Sequence, residues 1–206
     1  MEIFFRPDVE VVPWAPTYRR RDPEKENSMI DLQPACHQLG ELVMGITDEQ
    51  LANSTPCTEY TVRELLDHVD GGARGFAEAA GAEVTDAALA FDGEWREAFG
   101  HRLLVLAKAW DDPAVWAGES DQGGLKLPNE TWGRIALTEV VVHGWDLAKA
   151  TGLPYELPAE TVRACYEHVA GFLDQPPVPE LWAAPTDVPA QAPLMDRLVG
   201  ITGRRP

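Results

Sequence analysis

The sequence predicts an all-α protein, most simply a four-helix bundle with additional C-terminal helices. Three observations carry this. Apolar residues recur with a helical period through most of the chain from Met29 onward. Residues 61–64, TVRE, form a capping-box sequence, which opens helices. The apolar stretch between Pro128 and Gly152 runs unbroken for about six turns, whereas strands rarely exceed about ten residues, so its β-branched EVVV run belongs to a helix.

The first 28 residues differ from the rest. They hold prolines, a triple arginine and alternating charge with no helical or strand period, and are expected to form a poorly ordered extension. Regular structure is expected from Met29, which also fits a translation start, so that residues 29–206 make one helical domain. A first helix follows from the stripe Leu32, Cys36, Leu39, Leu42, Val43 and Ile46, with Pro34 tolerated in its first turn. The loop NSTPCTEY precedes a second helix carrying Val62, Leu65, Leu66, Val69, Ala73 and Phe76. A third spans 92–110 through Trp95, Phe99, Leu103, Leu106 and Trp110. Residues 111–128 read as a long loop. The fourth helix ends before Gly152, a good C-terminal cap, and a fifth covers 159–173. A proline-rich stretch then leads to a short helix over 195–201.

At 206 residues the chain has single-domain length, and its 45% hydrophobic and 25% charged residues are ordinary for a soluble protein. No apolar run approaches the roughly 20 residues of a membrane span, and the N-terminus lacks a signal-peptide core, which points to the cytoplasm. A formal net charge of −17 argues against nucleic acid and against anionic membrane surfaces as partners. Cys36, Cys57 and Cys165 form no C-x-x-C pair and read as reduced thiols.

The fourth helix poses the functional question. Glu139 and His143 lie four residues apart, on one side of a helix that is apolar nearly all round. Ionisable groups are rarely buried without a partner. They could be structural, with Glu139 capping a neighbour or pairing with an arginine and His143 a hydrogen-bonded core residue. His68, on the shoulder of the second helix's stripe with Gly71 and Gly72 just after it, offers another reading. As a third ligand from a facing helix it would complete two histidines and a glutamate, the set that leaves catalytic zinc an open fourth position. The residues alone leave these readings balanced. Asp146 either orients a ligand histidine or pairs with an arginine such as Arg63 or Arg197. His37, His101 and His168 lack carboxylates at ligand spacing, while Cys57 and Trp145 read as packing residues.

The segments STPCTEYTVRELLDHV (54–69) and LTEVVVHGWDLAKATG (137–152), taken together, resemble the metal-binding domain of mycothiol-dependent maleylpyruvate isomerases, part of the DinB-like superfamily. The ending APLMDRLVGITGRRP is similar to the tail of stand-alone relatives, so the resemblance runs from about Met29 to the C-terminus. It implies a DinB-like four-helix bundle with a divalent metal, usually Zn2+, held by His68, Glu139 and His143. Tyr60 stands where many relatives have tryptophan, and the chain is too short for the second domain of the full-length isomerases.

What the resemblance implies chemically is a metal-dependent thiol S-transferase or isomerase-like enzyme, with a small thiol such as mycothiol acting on an electrophile. The metal's charge would deprotonate a thiol entering the fourth position. Activated water, giving a hydrolase, is an alternative, as is a non-catalytic metal-binding or sensing module that binds a protein partner. No catalytic side chain beyond the ligands is assigned.

Overall fold

The computed structural model describes residues 29–85, 87–172 and 183–206. The expected N-terminal extension, the end of the fifth helix at Leu173 and much of the proline-rich stretch lie outside the described residues. Six α-helices are described: α1 Gln33–Met44, α2 Val62–Ala79, α3 Trp95–Ala109, α4 Asn129–Thr151, α5 Ala159–Phe172 and α6 Leu194–Ile201. The first four close a ring in which α1 packs on α3, α3 on α2, α2 on α4 and α4 on α1. This is an all-α, DinB-like four-helix bundle. The fifth helix packs on α4, and α6 on α5.

Local signals open the first two helices. Asp31 Oδ1 accepts from the Gln33 backbone N–H at 2.8 Å, and Pro34 sits in the first turn of α1, where its missing N–H costs nothing. The capping box opens α2: the Thr61 N–H donates to Glu64 Oε2 at 2.8 Å, and the Glu64 N–H to Thr61 Oγ1 at 3.4 Å. Such a cap is worth about 1 kcal/mol. Leu65, Leu66, Phe99, Leu103, Leu106, Leu137 and Leu147 are almost completely buried within the bundle. Each such side chain contributes roughly 1.5–3 kcal/mol relative to exposure. Gly71 and Gly72 are buried as well, although α2 keeps Arg63, Glu64, Asp67 and Glu78 exposed on its outer face.

Helix α4 is the central element. Its EVVV run is helical, as length required, and every residue from Val140 to Ala148 is buried. Gly152, at φ 72°, ends it with its N–H on the Ala148 carbonyl at 2.8 Å.

The structure differs from expectation in two places. Helix α3 begins at Trp95, not at residue 92, because Gly93 turns the chain at φ 58° just before it. The expected long loop also contains a hairpin, β1 Glu119–Gln122 paired antiparallel with β2 Leu125–Pro128. Its turn residues Gly123 and Gly124 both take positive φ, as a tight two-residue hairpin turn requires. The hairpin is sewn to the start of α4: Ser120 Oγ donates to Asn129 Oδ1 at 2.7 Å, and Trp132 Nε1 to the Ser120 carbonyl at 3.0 Å.

Candidate metal centre

His68 projects from the middle of α2, and Glu139 and His143 from successive turns of α4, across the contact between those two helices. Glu139 Oε2 lies 3.4 Å from His68 Nε2 and 3.2 Å from His143 Nε2. One ligand atom from each of the three residues falls within 4.8 Å of the others. The imidazoles meet edge to face with centroids 5.0 Å apart. The three side chains are only 17%, 13% and 9% exposed for His68, Glu139 and His143. The structure thus brings together the three residues singled out in the sequence.

The surroundings hold them in place. Tyr60 stacks on the His68 ring with centroids 5.2 Å apart and 24° between planes. The 53–61 loop that carries Tyr60 is tied to α4 by Asn53 Nδ2, which donates to the Ala150 carbonyl at 2.9 Å. Beside His143, Gly144 leaves room for Tyr155: a Cβ at that position would lie 2.4 Å from the Tyr155 Cζ and hydroxyl. That hydroxyl donates to the Val140 carbonyl at 3.2 Å. The glycine of the HGWD stretch is therefore a close-approach residue.

Asp146 is fully buried, and its Oδ2 lies 3.0 Å from His143 Nδ1. It is both of the things the sequence left open, a partner of a candidate ligand and a salt-bridge acceptor, but its arginine is neither Arg63 nor Arg197. Arg204 donates to it from Nε at 3.2 Å and from a terminal nitrogen at 2.8 Å. Arg63 instead lies over the Phe91 ring at 4.3 Å, and Arg197 donates to the Tyr166 hydroxyl at 2.8 Å. Sequence carried no signal for Arg204, which stands 58 residues from its partner.

Cys57 also lies closer to the centre than a packing role requires. Its sulfur, a ring nitrogen of His143 and a carboxylate oxygen of Asp146 fall within 4.8 Å of one another. Burial pushes the Cys57 thiol up to about 11, against the pull of Arg204. Cys36 and Cys165 are buried elsewhere in the core, and burial raises both to about 12. His37 and His101 are exposed, His168 is buried on α5, and none of the three joins a ligand cluster among the described residues. Trp145 is buried, as expected, with Lys149 over its ring at 5.1 Å.

Electrostatically the centre is a buried ion pair. Burial favours a neutral Glu139, but the imidazoles of His143 and His68 outweigh it and hold the carboxyl well below the usual carboxylate range. Burial likewise opposes charge on His143, yet Glu139 and then Asp146 raise it to about 9. A cation entering here has to displace that proton. Tetrahedral coordination by nitrogen and oxygen at about 2.0–2.2 Å places ligand atoms about 3.3 Å apart. The separations of 3.2 and 3.4 Å around Glu139 already match. Two neutral imidazoles and one carboxylate would leave a divalent ion one net positive charge.

Fold and donor set together define a DinB-like helical bundle with a candidate metal centre of two histidines and a glutamate. Residues 32–148 match the mycothiol maleylpyruvate isomerase N-terminal domain, and the chain belongs to that family. It is 29% identical over 179 residues to an uncharacterized protein of Mycobacterium tuberculosis (strain CDC 1551 / Oshkosh), with 84% of this chain and 94% of the relative covered. An uncharacterized protein of strain ATCC 25618 / H37Rv is similar to the same extent, 29% over 179 residues with the same coverage. No solved structure matches. No helix among the described residues is long and apolar enough to cross a membrane.

Proposed function

We propose that this protein is a cytoplasmic, metal-dependent thiol enzyme, an S-transferase or isomerase-like catalyst acting on a small electrophile. In this reading His68, Glu139 and His143 hold a divalent cation, with zinc the best fit, and a small mycothiol-type thiol is the co-substrate. The observation that carries it is the convergence of three ligand atoms from α2 and α4 within 4.8 Å of one another, with Glu139 Oε2 3.4 and 3.2 Å from the two imidazole nitrogens. Membership of a mycothiol-related family supports the thiol.

Bound there, zinc supplies the positive charge that favours an incoming thiol's anion at neutral pH. The chain's own residues set the conditions for this. Glu139 is the single anionic ligand, so the centre stays cationic. Asp146 holds the Nδ1 edge of His143 and thereby turns Nε2 toward Glu139. Tyr60 braces the outer face of His68.

The test is metal analysis followed by cobalt substitution. About one divalent ion per chain is expected, and the cobalt protein should gain a thiolate-to-metal absorption band when a small thiol is added. The zinc protein should then conjugate that thiol to a bromobimane, or isomerise a cis-alkene, and the metal-stripped protein should do neither. Ester or amide hydrolysis with no response to thiols would favour activated water instead.

A second reading rests on Cys57, which is close enough to His143 to compete for the metal. A thiolate band present before any thiol is added, and lost in Cys57→Ser, would mean a site closed by protein ligands. The non-catalytic, sensing or partner-binding module would then be the better account.

A further inference from the structure

We propose that Arg204 is a positioning residue for the metal centre, so that the C-terminal turn 202–204 belongs to the site as much as α2 and α4 do. The proposal rests on the metal reading above. Arg204 is 8% exposed and Asp146 is completely buried, and two charges so placed are costly unless their geometry is good. It is good. The guanidinium grips both carboxylate oxygens, Oδ1 at 3.2 Å and Oδ2 at 2.8 Å, and spends another N–H on the Thr202 carbonyl at 3.0 Å. A planar two-point grip fixes the plane of the carboxylate as well as its position.

The same Oδ2 faces Nδ1 of His143 at 3.0 Å. The orientation of the imidazole therefore depends on a carboxylate whose own orientation is set by Arg204. Without the arginine, Asp146 could rotate about its side-chain torsions, and the ring edge it holds would lose its fixed partner.

The backbone of Arg204 is itself held. Its N–H donates to the Val199 carbonyl at 2.9 Å, and the Thr186 hydroxyl donates to its carbonyl. Gly203 takes φ 86° and presses against Ala183, where a Cβ would come within 2.5 Å of the alanine side chain. The grip thus reaches the centre from a rigid turn, 56 residues beyond the end of the family match at residue 148. If the turn strengthens metal binding, metal binding must by linkage steady the turn.

Zinc affinity of the full chain, measured by competition with a chromophoric chelator well below the melting temperature, tests this. Arg204→Ala is expected to bind zinc about tenfold more weakly, the low end of the cost of losing a direct partner of a metal ligand, because Arg204 acts through Asp146. Arg204→Lys should recover part of the loss, and Arg205→Ala, at an exposed position, none of it should incur. An Arg204→Ala affinity within twofold of the parent would overturn the proposal while leaving the metal centre standing. Failure of the parent chain to bind zinc would overturn both. Should Arg204→Ala not fold, hydrogen exchange on the unaltered protein decides. The amides of Thr202, Gly203 and Arg204 are expected to exchange more slowly once zinc is added, and unchanged rates at full zinc occupancy would reject the coupling.

Discussion

Glu139 Oε2 lies 3.2 Å from His143 Nε2, one helical turn away on α4, inside a stretch where every other side chain from Val140 to Ala148 is also withdrawn from water. The contact is the structural form of the i, i+4 spacing in the sequence. His68, from the facing helix, closes on the same carboxylate oxygen at 3.4 Å.

Removing any one of the three should strip the site. His68→Ala, Glu139→Ala and His143→Ala are each expected to lower zinc occupancy strongly after dialysis, because a three-ligand set has no spare. His37→Ala and His101→Ala, both exposed, should retain it. Equal metal content in all five variants would dispose of the constellation.

Metal affinity should rise with pH. Against the opposing effect of burial, Glu139 and Asp146 lift His143 to about 9, so a cation competes with its proton at any pH below that value. Zinc affinity is expected to climb as pH rises toward about 9, by up to about tenfold per pH unit for one displaced proton, and to level off above. The sign reverses for the chelator-treated protein. A raised folded-state value stabilises fully below about 6.5 and is lost as pH rises through about 9, so its thermal midpoint should fall over the same window. A flat affinity profile would show that His143 releases no proton on binding.

Gly144→Ala should destabilise the fold even though alanine is the better helix former by about 1 kcal/mol. The new methyl would overlap the Tyr155 ring at 2.4 Å, and overpacking of this kind costs about 1–3 kcal/mol. A net drop of a few degrees in thermal midpoint is expected. A raised midpoint would mean that Tyr155 moves aside freely.

A chain beginning at Met29 should keep the helicity and thermal midpoint of the full protein. The first 28 residues have a composition with little to offer a core. Brief protease treatment should also cut near the RRRDPEKE stretch. A loss of several degrees on truncation would show that this segment packs on the bundle.

How much of this was legible in the sequence depended on distance along the chain. Helices α1, α2, α4 and α6 follow from periods and caps that a few turns suffice to display, as Thr61 with Glu64 and the glycine at 152 illustrate. The hairpin escaped because strands of four residues show no usable alternation, although Gly123–Gly124 between polar and Leu-x-Leu segments was a turn signal. At the site, the α4 pair is visible as a spacing, whereas the residues alone leave His68 an even alternative that the family resemblance favours. Asp146 stands out in the sequence, but its arginine does not: Arg63 and Arg197 both turn to aromatic side chains instead. Charge complementarity does not say which of several distant cations folds back, and Arg204 is selected by tertiary packing around α6.

The division of the candidate ligands between helices has a kinetic consequence for the proposed metal. Glu139 and His143 keep their spacing for as long as one turn of α4 survives, whereas His68 stays in place only while α2 remains docked, through contacts such as Phe76 against Trp132 at 6.2 Å. An ion would therefore escape in two stages, by transient separation of the helices and then release from the remaining pair. Its residence time would be governed by breathing of the α2–α4 seam. Loosening Phe76 or Trp132, each about two helical turns from the nearest candidate ligand, should shorten that residence time more than it alters the chemistry of the bound ion.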